Sequence, residues 1–251
     1  MSSTGLGKVL VVIPTYNERE NLPLIIAGVR AAAPDVNILV ADDNSPDGTG
    51  EVADGLAASD LAVQVLHRET KAGLGAAYLE AFQWAKDQSF DVVVEMDADG
   101  SHSPTDLVKI LAALTHSDVV LGSRWVKGGR VVNWPKSREL LSRGGNIYTR
   151  LWLGIPLRDA TGGFRAYRMS ALNKMDLAKV ESQGYCFQVD MAWRAVRCGL
   201  RITEVPITFL EREIGESKMN QAIVKEALWR VTQWGLAKRS ADLKRLLHLG
   251  S

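Results

Sequence analysis

The sequence contains few of the residues that stabilise small secreted domains or bind metals. Two of its 251 residues are cysteines and four are histidines. A chain of this length buries roughly three quarters of its unfolded surface when it folds, so the core does not depend on disulfide bonds. We therefore expect Cys186 and Cys198 to be reduced thiols in a reducing compartment. The histidines, at positions 67, 102, 116 and 248, do not have metal-ligand spacing.

Long apolar runs and an excess of one charge are also missing. The first residues, MSSTGLG, lack the apolar stretch of a signal peptide, and no run approaches the roughly 18 apolar residues of a membrane span. The formal net charge is +1, which argues against a globally basic nucleic-acid-binding protein, so no nucleic-acid partner is expected. With 46% hydrophobic and 24% charged residues, the composition predicts a cytoplasmic globular protein that contacts a membrane only peripherally or through a partner.

Five short apolar runs alternate with helical patterns in the first half of the chain. The runs cover residues 8–13, 36–41, 62–66, 91–96 and 118–121, and the helical patterns cover residues 19–32, 50–58, 74–88 and 104–115. This alternation predicts an α/β fold with a mostly parallel sheet. Pro104 suits the first turn of its helix, after the possible cap Ser103.

The second half of the chain has a less regular pattern. Residues 125–135 are rich in Gly, Arg and Trp and predict a long mobile loop of the kind that covers active sites. We also predict helices over residues 138–153 and 189–198 and strands over residues 164–167 and 201–210. Residues 222–249 have the pattern of one or two basic amphipathic helices that include Trp229 and Trp234. We therefore divide the chain into an α/β domain, residues 1–220, and a C-terminal amphipathic helical tail, residues 221–251.

Polar side chains follow four of the predicted strands. Open α/β sheets bind ligands at the carboxyl ends of their strands, so these positions are candidates for a site. In chain order they are Pro14, Tyr16 and Glu18, then Asp42 and Asp43, then Asp97, Asp99, Ser101 and His102, and finally Ser123 and Arg124.

Asp97 and Asp99 form the most informative pair. In extended chain their carboxylates point the same way, about 6.6 Å apart at a rise of roughly 3.3 Å per residue, and they repel by about 2.5 kcal/mol at an effective dielectric of 20. Oxygen ligands of this kind suit Mg²⁺ or Mn²⁺, which would also hold a diphosphate.

The same motif allows other interpretations. The two carboxylates could simply cap the helix that begins at Pro104. An EF-hand loop is excluded because it needs Gly and Glu where His102 and Val108 stand. A phosphatase with Asp97 as nucleophile remains open. A dinucleotide site is weaker, since no G-x-G-x-x-G follows the first strand.

Six blocks of the sequence together resemble the polyprenol (dolichol) phosphate mannose synthases. They are VVIPTYNERENL, VADDNSPDGT, EMDADGSHSP, LGSRWVKGG, ATGGFRAYR and FLEREIGESKM, and they extend from Lys8 to about Met219. That family consists of inverting family-2 glycosyltransferases with a GT-A fold. The resemblance therefore implies a GT-A fold, a mixed, mostly parallel sheet flanked by helices, followed by the C-terminal amphipathic helices.

The resemblance also implies roles for individual residues. Asp99 would ligate Mg²⁺ or Mn²⁺, with the short hydroxyl of Ser101 as a further ligand. The catalytic set would be Asp97, Asp99, Arg124 and Arg212. The nucleotide sugar would be held by Pro14, Tyr16, Glu18, Ala41, Asp43, Asp97, Ala98, Asp99, Arg124, Arg212 and Lys218. The acceptor phosphate would contact Arg124, Arg138 and Ser142. Asp159, Gln188 and Asp190 lie in segments that resemble the acceptor side, without an assigned role.

The implied donor is GDP-mannose and the implied acceptor a polyprenyl phosphate. A phosphate monoester carries about 1.5 to 2 negative charges at pH 7 and is already a nucleophile, so no general base is required. In-line attack would invert the anomeric carbon, and the metal would stabilise the departing diphosphate. Three alternatives stay open: a UDP-glucose-dependent polyprenol phosphate glucosyltransferase, the Asp97 phosphatase, and a noncatalytic nucleotide-binding module.

A lipid acceptor would also explain the basic, Trp-bearing tail. Its apolar side chains would enter the headgroup region while Lys and Arg meet anionic lipid. The alternative is a helix that docks on the core of the enzyme itself. We expect peripheral contact with the cytoplasmic face of a membrane, through the tail or through a separate membrane-anchoring protein.

Overall fold

A seven-stranded sheet runs through the centre of the molecule. The computed structural model describes residues 5–180, 185–211 and 221–248. The strands of the main sheet are β1 (Val9–Thr15), β2 (Asn37–Asp42), β3 (Val63–His67), β4 (Val92–Glu95), β5 (Val119–Ser123), β7 (Arg165–Arg168) and β8 (Ile202–Pro206), and a small second sheet pairs β6 (Arg130–Val132) with β9 (Thr208–Leu210). The helices are α1 (Asn21–Ala32), α2 (Thr49–Ser59), α3 (Leu74–Asp87), α4 (Pro104–Leu114), α5 (Lys136–Leu153), α6 (Met169–Lys174), α7 (Tyr185–Arg197) and α8 (Gln221–His248).

The main sheet is parallel except for one strand. Its order is β3-β2-β1-β4-β7-β5-β8, and β7 runs antiparallel between β4 and β5. Strands buried on both faces are apolar along their whole length, which explains the run from Val9 to Ile13. The register pairs Thr15 with Asp42, so β1 and β2 end side by side. The mixed, mostly parallel sheet flanked by helices confirms the predicted fold class.

Helices cover both faces of the sheet. One hydrophobic core lies between the sheet and α1, α2 and α4. The other lies between the sheet and α3, α6, α7 and α8. Residues at the carboxyl ends of β1, β2 and β4, including Pro14, Asp43 and Asp97, line the candidate site.

The prediction for residues 125–135 is wrong in part. Arg130 to Val132 form β6, which pairs in parallel with β9 rather than lying in an irregular loop. The predicted strand over residues 201–210 is correspondingly divided into β8 and β9. The Ile207 amide between them donates to the Ser123 carbonyl at 3.1 Å, and the chain then continues into the second sheet. A three-residue strand is too short to show a two-residue period in the sequence.

The C-terminal segment is a single helix, α8, that packs on the rest of the molecule. Trp234 stacks on Trp193 with ring centroids 5.4 Å apart, and Val231 is buried. Gly235 lies against the backbone of Trp152, where a Cβ atom would come within 2.9 Å of the carbonyl oxygen. This confirms the alternative of a helix docked on the core for these side chains. Within the described residues, no helix is both long and apolar enough to span a bilayer.

Candidate active site

A cavity of about 1140 Å³ opens at the carboxyl ends of β1, β2 and β4. The first turn of α3 and parts of α5, α7 and α8 form its other walls. Eleven of the residues singled out from the sequence line it: Pro14, Tyr16, Glu18, Asp43, Asp97, Ala98, Asp99, Arg124, Arg138, Ser142 and Gln188. The fold thus brings together side chains that are more than 120 positions apart in the chain.

Two of the predicted site residues, Ala41 and Ser101, do not line the cavity. Ala41 is fully buried inside β2 and is not among the residues that line the cavity. Ser101 is 1% exposed and is not among the residues that line the cavity, although its amide donates to the carboxylate of Asp99, which does line it. Arg212 and Lys218 fall outside the described residues, so their predicted roles stay predictions.

His102 holds the acidic loop after β4 in place. Its Nδ1 accepts the backbone amide of Asp97 at 3.0 Å, and its Nε2 lies 3.8 Å from Asp97 Oδ2. The ring stacks on Phe164 with centroids 4.8 Å apart and meets Phe209 edge-on. A buried ring that accepts at Nδ1 carries its proton on Nε2, the nitrogen that faces the Asp97 carboxylate. His102, a candidate from the sequence without an assigned role, is therefore a positioning residue; the role could not be predicted because its partner amide gives no signal in a sequence.

The same loop presents oxygen atoms that suit a divalent ion. Asp99 Oδ1 accepts the Ser101 amide at 3.0 Å, and Ser101 Oγ is buried with no hydrogen-bond partner among the described residues. Across residues 5–180, 185–211 and 221–248, no group of three or more acidic, histidine or cysteine side chains could hold a metal by itself. The Asp99 carboxylate and the Ser101 hydroxyl are oxygen ligands of the kind that a hard cation such as Mg²⁺ or Mn²⁺ prefers.

A second acidic residue lies beside the predicted nucleoside position. Asp43 forms a buried ion pair with Arg68, and Arg68 Nε donates to Glu80 at 2.8 Å. Burial raises the pKa of Asp43 and the Arg68 guanidinium only partly offsets this rise. Asp42, by contrast, is structural: its Oδ1 accepts from the hydroxyls of Thr15 at 2.8 Å and Ser45 at 2.6 Å. Arg68 was also missed from the sequence, since it lies 25 positions from Asp43.

Arg124 is held rigidly on the opposite side of the cavity. Its Nε and Nη2 donate to the two carboxylate oxygens of Asp159 at 2.8 and 2.7 Å, and its amide donates to the same carboxylate at 2.9 Å. Burial alone would raise the pKa of Asp159, but the adjacent Arg124 charge and its hydrogen bonds hold that pKa below its usual value. Asp159, which had no assigned role, therefore orients Arg124.

Arg138 and Ser142 lie on neighbouring turns of α5 at the cavity wall. The Arg138 guanidinium lies 4.1 Å from the Trp134 ring centroid and forms an ion pair with Glu211. Arg138 Nε is buried with no hydrogen-bond partner among the described residues. The Arg124 guanidinium lies 5.5 Å from the same Trp134 ring centroid, and all three predicted acceptor-phosphate residues, Arg124, Arg138 and Ser142, line the cavity.

A buried polar layer lies under the acidic loop. Glu95 on β4 accepts from Gln188 Nε2 at 2.7 Å, and it is paired across the sheet with Arg165 on β7. Burial raises the pKa of Glu95 to about 7, although Arg165 and the Gln188 hydrogen bond act in the opposite direction. Gln188 lines the cavity and is 2% exposed, and its Oε1 has no hydrogen-bond partner among the described residues. The cavity floor therefore contains an unused hydrogen-bond acceptor.

The mostly parallel sheet with one antiparallel strand and helices on both faces is a fold of the GT-A type. Several solved structures with this architecture match most of the chain. Glucosyl-3-phosphoglycerate synthase from Mycobacterium tuberculosis, in complex with Mn²⁺, UDP and phosphoglyceric acid, superposes with a TM-score of 0.70 over 93% of this chain and 81% of that chain, at 18% identity. Its complex with Mg²⁺ and UDP gives a TM-score of 0.68 over 90% and 79% of the two chains, at 19% identity.

The sequence places the chain within a particular family. The model of glycosyl transferase family 2 matches residues 10–176, and the chain belongs to that family. It is 54% identical to an undecaprenyl-phosphate mannosyltransferase of Micrococcus luteus over 96% of this chain and all of that protein. It is 53% identical to a polyprenol monophosphomannose synthase of Mycolicibacterium smegmatis over 92% of this chain and 88% of that protein. The resemblance found in the six sequence blocks is confirmed.

Proposed function

We propose that this protein transfers mannose from GDP-mannose to a polyprenyl phosphate with inversion, giving polyprenyl phosphate β-mannose and GDP. The observation that carries the proposal is a cavity of about 1140 Å³ that is lined both by the acidic loop and by Arg124 and Arg138. Such a cavity is large enough for a nucleotide sugar and an acceptor phosphate together. The relatives at 53–54% identity, whose names state the same reaction class, support it.

On the donor side, each residue has a task that its surroundings support. Glu18 and Asp43 would accept hydrogen bonds from the base or ribose, and the conformation of Asp43 is fixed by Arg68. Pro14 and Tyr16 would form the apolar wall against the nucleoside. Asp99, with Ser101, would hold Mg²⁺ or Mn²⁺, which stabilises negative charge on the leaving diphosphate when bound. Asp97 would lie against the nucleotide sugar, oriented by His102.

On the acceptor side, the protein orients a nucleophile that needs no activation. Arg124 and Arg138 would bind the acceptor phosphate, and the Ser142 hydroxyl would donate to it. Asp159 already holds Nε and Nη2 of Arg124 in place. Binding of the phosphate would therefore remove little conformational entropy from the Arg124 side chain. Arg212 and Lys218 would supply further positive charge near the two anions.

An assay of the purified chain tests the proposal. The donors GDP-mannose and UDP-glucose are each offered with Mn²⁺ or Mg²⁺ and a polyprenyl phosphate, and lipid-linked sugar is measured. We expect transfer from GDP-mannose that stops with EDTA and returns with added Mn²⁺. Transfer from UDP-glucose alone, or phosphate release without sugar transfer, would contradict it. We further propose that the enzyme works at the cytoplasmic face of a membrane, by direct contact or through an anchoring protein.

A further inference from the structure

A tryptophan without an assigned role lies at the wall of the cavity. The segment that connects β5 to α5 contains Trp125 near its start and Trp134 near its end. Trp134 is half-buried and lines the cavity, whereas Trp125 is not among the lining residues. Large aromatic side chains at a ligand site either contact the ligand or hold the groups that do.

The local structure holds the Trp134 ring in one orientation. Asn133 has a φ of 64°, a left-handed conformation that turns the chain at the end of β6. Pro135, on the other side, is the N-cap of α5. The ring meets that of Phe209 on β9 at a steep angle, with centroids 5.3 Å apart. Trp134 is therefore fixed between the second sheet and the first turn of α5.

Two arginines of the cavity meet this one ring. The Arg138 guanidinium lies 4.1 Å from the Trp134 ring centroid and the Arg124 guanidinium 5.5 Å from it. Both distances are within the range of about 6 Å in which a cation is attracted by an aromatic face. Two groups of like charge are thus neighbours at a single indole.

An aromatic ring is suited to holding cations that must bind an anion. A carboxylate in the same place would attract both guanidinium groups but would also offset their charge. The indole attracts them through its quadrupole and has no net charge, so both groups keep their full charge for a ligand. The ring therefore orients the two arginines without competing with a phosphate for them.

The two arginines differ in how far they depend on the ring. Arg124 is also bound by both carboxylate oxygens of Asp159. Arg138 has an ion pair with Glu211 through Nη1 only, and its Nε is buried with no hydrogen-bond partner among the described residues. Arg138 therefore relies on Trp134 for its position, while Arg124 is held by other contacts.

We propose that Trp134 is a positioning residue whose ring holds Arg138 beside the rigid Arg124, so that both guanidinium groups bind one phosphate monoester dianion. The proposal rests on the proposed function for the identity of that dianion as the acceptor phosphate. The placement of the two arginines at the ring does not depend on sugar transfer.

Two substitutions of Trp134 test the proposal. Trp134→Leu keeps an apolar side chain but removes the aromatic face, whereas Trp134→Phe keeps a face. Calorimetry with farnesyl phosphate, a short-chain phosphate monoester, should show an affinity about tenfold lower for Trp134→Leu and largely restored in Trp134→Phe. The affinity for GDP should be unchanged in both variants, because Arg124 keeps its bonds to Asp159.

A double-mutant cycle tests whether Trp134 acts through Arg138. Arg138→Gln alone should lower the affinity for farnesyl phosphate about tenfold, as the loss of one charge-assisted contact. Trp134→Leu in the Arg138→Gln background should cause little further loss, because the group that the ring positions is already absent. Additive losses, about 100-fold in the double variant, would contradict a role through Arg138.

A control and a folding measurement separate positioning from general stability. Trp84→Leu removes an indole that stacks on Phe90 at 5.9 Å, away from the cavity, and should bind farnesyl phosphate like the wild type. Thermal unfolding followed by circular dichroism shows whether each variant is folded. Loss of GDP affinity together with farnesyl phosphate affinity in Trp134→Leu, or an equal loss in Trp134→Phe, would reduce the ring to a structural role and overturn the proposal.

Sugar transfer distinguishes this proposal from the proposed function. With GDP-mannose as donor, Trp134→Leu should raise KM for farnesyl phosphate about tenfold and leave kcat nearly unchanged, since the ring does not touch the reacting atoms. No transfer by the wild type, with the expected pattern of affinities, would contradict the proposed function alone. Normal transfer with a wild-type KM in Trp134→Leu, or no binding of farnesyl phosphate by the wild type, would overturn the role of Trp134.

Discussion

Asp99 is nearly closed to solvent, at 9% exposure, yet it forms part of the cavity wall. If it ligates the divalent ion, Asp99→Asn should lower the rate of sugar transfer about 100-fold or more, since metal stabilisation of a leaving group is worth several kcal/mol. The rate of labelled mannose transfer, measured at increasing Mn²⁺ concentrations for both enzymes, tests this expectation. Asp87→Asn, at an exposed carboxylate that accepts from Gln83, is the control. An Asp99→Asn enzyme with the wild-type rate and Mn²⁺ dependence would exclude Asp99 as the ligand.

Gln188 offers a second prediction about a single residue. Its Nε2 is occupied by Glu95, which leaves Oε1 as an acceptor in the cavity for a hydroxyl of the sugar. Gln188→Leu should lower kcat/KM for the donor about tenfold, the value of one hydrogen bond of roughly 1.4 kcal/mol. Gln64→Leu removes another buried amide oxygen without a partner, outside the cavity, and should leave kcat/KM unchanged. Equal kcat/KM in the two variants would argue against a contact between Gln188 and the sugar.

Strands β4 and β7 and helix α7 enclose a titratable group. The pKa of Glu95 is about 7 in the folded protein, against 4.5 for an unperturbed carboxyl, chiefly because the group is buried. Because the pKa of Glu95 is raised on folding, the group contributes about 3 kcal/mol to the free energy of unfolding below pH 4.5. This contribution is lost as the pH rises through 7. Urea unfolding at pH 5 and pH 8 should show this loss in the wild type and a much smaller one in Glu95→Gln. Parallel pH dependence in the two proteins would contradict it.

The central strands could be predicted from the sequence because both of their faces are buried. The five apolar runs lie within two residues of β1 to β5 at each end, since a parallel strand buried on both faces needs an uninterrupted apolar run. Strand β6 could not be predicted, because its three residues owe their conformation to hydrogen bonds with β9, 78 positions away. Helix α6, six residues long, was missed for a similar reason.

The site was predictable where it depends on strand ends and not where it depends on long-range pairing. Asp43, Asp97 and Asp99 follow their strands directly, so the topology alone brings them together. The bond between Gln188 and Glu95 joins residues 93 positions apart, and that between Arg124 and Asp159 joins residues 35 apart. Such pairs leave no local pattern in a single sequence.

At the scale of the whole molecule, α8 is a wall of the site as well as a surface helix. Ala227, Leu228 and Val231 line the cavity opposite the acidic loop, and Val231 belongs to the same core as Tyr78 and Phe187. The tail that the sequence separates at residue 221 therefore contributes to both the core and the cavity.

Removal of residues 221–251 tests how far the fold depends on this helix. We expect the shortened chain to unfold at a lower temperature and to lose sugar transfer, because the core side of α7 and the Trp152 backbone would be exposed. Trp234→Ala in the full chain tests the packing of α8 without removing the helix. Loss of the stack on Trp193 should lower the free energy of unfolding in urea by about 3 to 5 kcal/mol. If residues 1–220 instead unfold cooperatively at the wild-type temperature, the first 220 residues form an independent domain and α8 only rests on it.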